Sequence, residues 1–126
     1  MTERELLERT KQFALRIFKL VGALPQTIQG RAVAAQLIRS GTSVAANYRA
    51  ACRARSKAEF VAKLGVVEEE ADESAFWLEL VNETGLLNPR KGTPLLAEAG
   101  EIVAMMVSSK KTAAKSQIAS RKSAIR

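Results

Sequence analysis

Apolar residues three and four positions apart recur along most of the chain, in four runs separated by capping and turn signals, and nothing alternates as a strand would over a useful length. Thr2 followed by Glu5 forms a capping box, after which Leu6, Thr10, Phe13, Ile17, Leu20 and Leu24 share one helical face until Pro25 ends the run. A second run from about Gln26 to Ala54 lines up Val33, Leu37, Gly41, Val44, Tyr48 and Ala51. Gly30 and Gly41 each weaken that helix by about 1 kcal/mol relative to alanine, so Gly41 is read as a point of close helix approach. Ser56 and Glu59 form a second capping box ahead of Phe60, Leu64, Val67, Ala71, Ser74, Leu78 and Val81, the cleanest heptad in the chain, which Gly85 stops. Thr93 as N-cap and Pro94 at the first helical position then predict a fourth helix through Leu95, Ala99, Ile102, Val103 and Met106, fading near Ser109. Helices of about 20 residues are roughly 30 Å long, and four of them joined by short loops pack side by side. The expected fold is all-α: an antiparallel up-down-up-down four-helix bundle over residues 1–109, with residues 110–126 as a basic, frayed and flexible C-terminal tail.

With 126 residues, of which 47% are hydrophobic and 26% charged, the chain suits one compact domain and argues against wholesale disorder. No apolar run approaches the roughly 18 residues of a membrane span, and the mixed charges of residues 1–10 do not resemble a secretion signal. A cytoplasmic protein without membrane contact is therefore expected. The single cysteine, Cys52, and the absence of histidine exclude an internal disulfide framework, His-based triads and the usual zinc sites. No Gly-rich phosphate loop occurs, so neither catalytic residue nor cofactor is assigned and an enzyme is disfavoured.

Charge is segregated along the chain. Residues 9–58 carry +10 with no carboxylate, residues 59–109 carry −7, and the tail from 110 to 126 carries +6, within a net charge of +7. Stepping about 100° per residue, Arg31, Arg39, Arg49, Arg53 and Lys57 fall within a stripe roughly 80° wide, opposite the core face, and Arg55 extends it at the following turn. Such a row of guanidinium groups can contact successive phosphates of RNA or DNA without reading bases. A solvated face, or pairing with carboxylates of a neighbouring helix or subunit, accounts for the same pattern. The tail's Lys110, Lys111, Lys115, Arg121, Lys122 and Arg126 could add electrostatic affinity or merely solubility.

On the third helix, Phe76, Trp77 and Leu80 lie off the heptad face and are assigned to oligomer contacts, with a wide intramolecular core face as the alternative. The nearby Glu68, Glu69, Asp72, Glu79 and Glu83 lack the Glu-x-x-His pattern of di-iron bundles and are read as a solvated or arginine-pairing face, not a metal site. Gln36, Ser40, Ser43 and Asn47 form a polar row read as a seam to the third helix through Glu70 or Glu73. Cys52 sits at the edge of the core face and reads as a small hydrophobe.

Three stretches carry a family resemblance: Gln36-Leu-Ile-Arg-Ser-Gly-Thr-Ser-Val-Ala-Ala-Asn47, Arg53-Ala-Arg-Ser-Lys-Ala-Glu-Phe60 and Glu68-Glu-Glu-Ala-Asp-Glu-Ser-Ala-Phe-Trp-Leu-Glu79. Together they resemble the bacterial S23-type four-helix-bundle proteins, encoded in intervening sequences of 23S ribosomal RNA genes or elsewhere, over about Phe13 to Met106. The chain departs from many relatives at Ala50-Ala51 and at Glu69-Glu70. The resemblance implies a homopentamer of up-down bundles. It also implies kinship with the accessory protein of diversity-generating retroelements, thought to hold nucleic acid and a reverse transcriptase. The expected function is an oligomer that binds nucleic acid non-specifically through the basic stripe; the alternative is a scaffold that docks a protein partner and binds no nucleic acid.

Overall fold

The computed structural model describes the backbone of residues 1–125 and the side chains of residues 1–116. Four α-helices follow in chain order: α1 (Glu3–Gly22), α2 (Ile28–Ala51), α3 (Lys57–Thr84) and α4 (Pro89–Ile125). Among the described residues each helix touches its chain neighbours, α1 also touches α4 lightly, and the diagonal pairs α1/α3 and α2/α4 do not meet. That closed square of contacts, with loops of only four or five residues, is the up-down-up-down bundle.

The capping chemistry works largely as the sequence suggests. Thr2 Oγ1 accepts from the Glu5 N–H at 3.1 Å, and Ser56 Oγ accepts from the Glu59 N–H at 3.1 Å. Each hydroxyl serves a donor that the helix start leaves unpaired. Gly85 caps α3 in the left-handed region at φ 71°, which costs glycine no steric strain. The start of α2 has a cap of its own, Thr27, whose hydroxyl accepts from the Gly30 N–H at 3.0 Å. Two boundaries differ from expectation. α4 begins at Pro89, one turn before the Thr93-Pro94 pair, because Asn88-Pro89 is itself an N-cap and first position: Asn88 Oδ1 accepts from the Arg90 N–H at 3.0 Å. Pro94 then lies inside the helix. At the other end, α4 continues past Ser109 to Ile125. Lys110 pairs there with Glu68 of α3 at 2.6 Å, and Lys57 Nζ donates to Ser116. The side chains of Ile118, Arg121, Lys122, Ile125 and Arg126 lie outside those described.

The core is the face that the spacing picked out. Phe13, Ile17, Leu37, Val44, Leu64, Val67, Ala71, Leu78, Val81, Ala99, Ile102 and Met106 are fully buried, with Phe60 and Val103 half-buried at its margin. Gly41 is packed against α1, and a Cβ there would stand 2.8 Å from Ile17 Cγ1. The Thr10 hydroxyl donates to the Leu6 carbonyl at 2.8 Å, so its burial leaves no unmet donor. A clamp not visible in the sequence closes α1 on α4: Arg9 Nε and Nη2 donate to the two Glu98 carboxylate oxygens at 2.7 Å each, and Arg9 also pairs with Glu101.

Candidate nucleic-acid interface

The end of α2, the loop after it and the first turns of α3 bring Arg49, Arg53, Arg55 and Lys63 around one shallow depression of about 490 Å³. Ala46 and Ala50 floor it, and Glu59 is its only carboxylate. The clustering follows from local geometry. Arg49 is in the last turn of α2 and Arg53 two residues past its end, and the turn to α3 folds Arg55 back beside them while Glu59 Oε2 accepts from the Arg55 N–H at 3.1 Å. Lys63 stands one further turn along α3. It was not singled out in the sequence, although it is the only cation between Lys57 and Arg90 and sits four residues after Glu59.

The remaining members of the basic stripe do other things. Arg39 donates to Glu70 at 3.0 Å and pairs with Glu73, joining α2 to α3 within one chain. Arg31 Nη1 donates to the Gln26 carbonyl at 3.0 Å and lies eighteen residues from Arg49 along α2, about 27 Å away by helical rise. Lys57 turns towards α4 and Ser116. Three of the six expected phosphate contacts, Arg49, Arg53 and Arg55, therefore share a site, and Arg31, Arg39 and Lys57 do not.

The polar row also behaves differently from expectation. It reaches α3 through a buried 2.8 Å hydrogen bond between the Ser40 and Ser74 hydroxyls, because Arg39 has already engaged Glu70 and Glu73. Asn47 Nδ2 bonds Ser43 on its own helix, and Gln36 is exposed. The acidic run on α3 is partly spent on ion pairs, and among the described residues no group of three or more His, Cys, Asp or Glu side chains could hold a metal ion. Half-buried Cys52 has its thiol pushed up by burial and by the nearby Glu3 carboxylate, which disfavours the reactive thiolate.

The aromatic face of α3 divides. Phe76 is 50% exposed and meets Trp77 edge to face, with ring centroids 5.1 Å apart. Trp77 is half-buried against the core, and its Nε1 lies 3.4 Å from Glu73 Oε2; Leu80 is half-buried. A second apolar outer surface, missed in the sequence, lies on α1: Leu15 is 51% and Phe18 54% exposed. Their signal was present, since on a helical wheel Leu15 falls opposite the Leu6-to-Leu24 face and Phe18 about 120° from its centre.

No helix among the described residues is long and apolar enough to cross a membrane. A search among curated proteins finds no match. Among solved structures, the chain is similar to a protein of unknown function from the S23 ribosomal protein family of Bacteroides thetaiotaomicron, with 30% sequence identity and a TM-score of 0.78, covering 88% of this chain and 99% of that one. The family model for the 23S rRNA-intervening sequence protein matches residues 2–108, which take in α1, α2, α3 and the first half of α4. The chain belongs to the 23S rRNA-intervening sequence protein family.

Proposed function

We propose that this protein is a non-catalytic homo-oligomer, a pentamer as the S23-type resemblance implies, that holds RNA or DNA by its phosphates without reading sequence. The observation that carries this reading is the convergence of Arg49, Arg53, Arg55 and Lys63 on one depression with Glu59 as the sole carboxylate. Arginine forks and a lysine at that density suit a phosphate backbone, and no aromatic residue lines the depression to stack a base. Each phosphate neutralised on a duplex contributes about 0.9 to the slope of log affinity against log salt, so four contacts give a slope of about −4 per copy.

A second reading has its own support. Arg39, on the same stripe of α2 but outside the depression, is held by Glu70 and Glu73, so an arginine of this stripe does pair with carboxylates, and an acidic face of a protein partner would suit the depression in the same way.

Fluorescence anisotropy of generic RNA and DNA oligonucleotides over a salt series separates the two. The expected result is binding that weakens steeply with salt and is lost in the Arg49→Glu/Arg53→Glu variant while light scattering shows an unchanged mass. No binding at low salt overturns the nucleic-acid reading in favour of the scaffold; a variant that falls apart assigns these arginines to subunit pairing.

A further inference from the structure

Two exposed apolar surfaces lie on α1 and α3, one of the two diagonal pairs of helices that do not touch among the described residues. Leu15 and Phe18 stand on the outer side of α1, and Phe76 stands on the outer side of α3 with Leu80 one turn on. Because α1 and α3 are diagonal in the bundle, these surfaces face away from each other. Their surroundings are opposite in charge. The α1 surface is bordered by Arg4, Lys11 and Lys19 with Glu8 as its carboxylate. Between Val66 and Thr84, α3 carries seven carboxylates and no cation. Of those seven, Glu69, Asp72, Glu79 and Glu83 have no ion-pair partner among the described residues.

The surfaces also match in height and direction. Ile17 of α1 packs on Gly41 of α2, and the adjacent Ser40 bonds Ser74 of α3, which puts Ile17 and Ser74 on nearly the same level. Phe18 is one residue beyond Ile17 and Phe76 two beyond Ser74, a mismatch of about 3 Å at most by helical rise. α1 and α3 run the same way in an up-down bundle. Rotation about an axis along the bundle preserves both height and direction, so it can bring α1 of one copy against α3 of the next.

We propose that the α3 outer face, Phe76 and Leu80 amid carboxylates, docks on the α1 outer face, Leu15 and Phe18 amid cations, of a second copy of this chain, head to tail. The proposal rests on the oligomeric reading above and specifies how the copies meet. A contact between two different surfaces leaves one of each free on any pair, so copies keep adding, into a ring where the rotation between neighbours closes and into a filament where it does not. The apolar pairs supply the buried contact and the flanking charges orient it.

The test uses Phe18→Asp and Phe76→Asp, both at exposed positions, with circular dichroism to verify the helical fold and light scattering to give the mass. Each variant alone is expected to be a single chain, because one of its two surfaces is disabled. Mixed in equal amounts, they should form a two-chain complex, since the intact α3 face of the first meets the intact α1 face of the second. If the unaltered protein is itself a single chain, the oligomeric reading fails and this one with it. If the unaltered protein is oligomeric but either variant remains so, or the mixture stays single-chain, only the head-to-tail contact is overturned.

Discussion

At the scale of single residues, two glycines on helix interiors have opposite requirements. A Cβ at Gly41 meets three atoms of Ile17 within 3.1 Å, whereas at Gly65 it meets nothing within 4 Å. Overpacking costs about 1–3 kcal/mol and outweighs the gain of about 1 kcal/mol in helix propensity at Gly41, while Gly65 has only the gain. Gly41→Ala should therefore lower the thermal midpoint and Gly65→Ala raise it, each by roughly 4 °C per kcal/mol, as differential scanning calorimetry would register. The Arg9 clamp makes a pH prediction. Hydrogen bonding to Arg9 holds the Glu98 carboxyl below the ordinary glutamate value, although partial burial opposes it. A carboxyl depressed in the folded state stabilises the fold above its unfolded pKa, about 4.3, and loses that contribution as pH falls towards the folded value. Glu98→Gln should cost about 1.5–3 kcal/mol at neutral pH, and urea titrations should find the gap to the unaltered protein narrowing as pH drops below about 5.

Among the helices, the buried faces were legible because a helix's apolar side follows from spacing alone, and every apolar residue assigned to α1 and α2 is buried. What spacing omits is the relative height of neighbouring helices. Arg39 read as part of a phosphate-binding row, yet it stands level with Glu70 and Glu73, and only the packed register of α2 on α3 reveals that pairing. Lys63 was missed for the converse reason, since it joins Arg49 and Arg53 across a turn. The start of α4 was misplaced because two Xaa-Pro pairs in succession, Asn88-Pro89 and Thr93-Pro94, each satisfy the rules for a helix start, and the chain uses the first. Its far end bears on stability. Met106 is the last fully buried apolar side chain described on α4, and beyond it the polar ties to α3 among the described residues are the part-exposed Lys110–Glu68 pair and the Lys57–Ser116 hydrogen bond. Such pairs contribute at most about 1 kcal/mol. A chain truncated after Ser109 should thus unfold cooperatively with a midpoint within roughly 5 °C of the full chain, and hydrogen exchange in the full chain should find residues 110–116 opening well before Ile102–Met106.

For the whole molecule, the proposed assembly and the basic depression occupy different levels of one bundle. Arg49 lies eight residues from Gly41 along α2, about 12 Å from the level of Ile17, and Phe18 and Phe76 lie beyond that level, about 14–17 Å from Arg49 by helical rise. A ring with its axis along the bundles would leave that end of every copy free and place all the Arg49, Arg53, Arg55 and Lys63 clusters on the same rim. One cluster offers few contacts and binds weakly at moderate salt. Several on one rim engage a long strand together, because after the first contact the others act at a high effective concentration, which can raise affinity 10²–10⁴-fold without any new kind of contact. Phe18→Asp touches no member of the basic cluster, so it separates the two effects. In anisotropy titrations the single-chain variant should match the unaltered protein on an oligonucleotide too short to reach a second copy, and lose about 100-fold or more on one long enough to span several. Equal loss on both lengths would place Phe18 in the phosphate contact itself, and no loss on either would mean that each cluster acts alone.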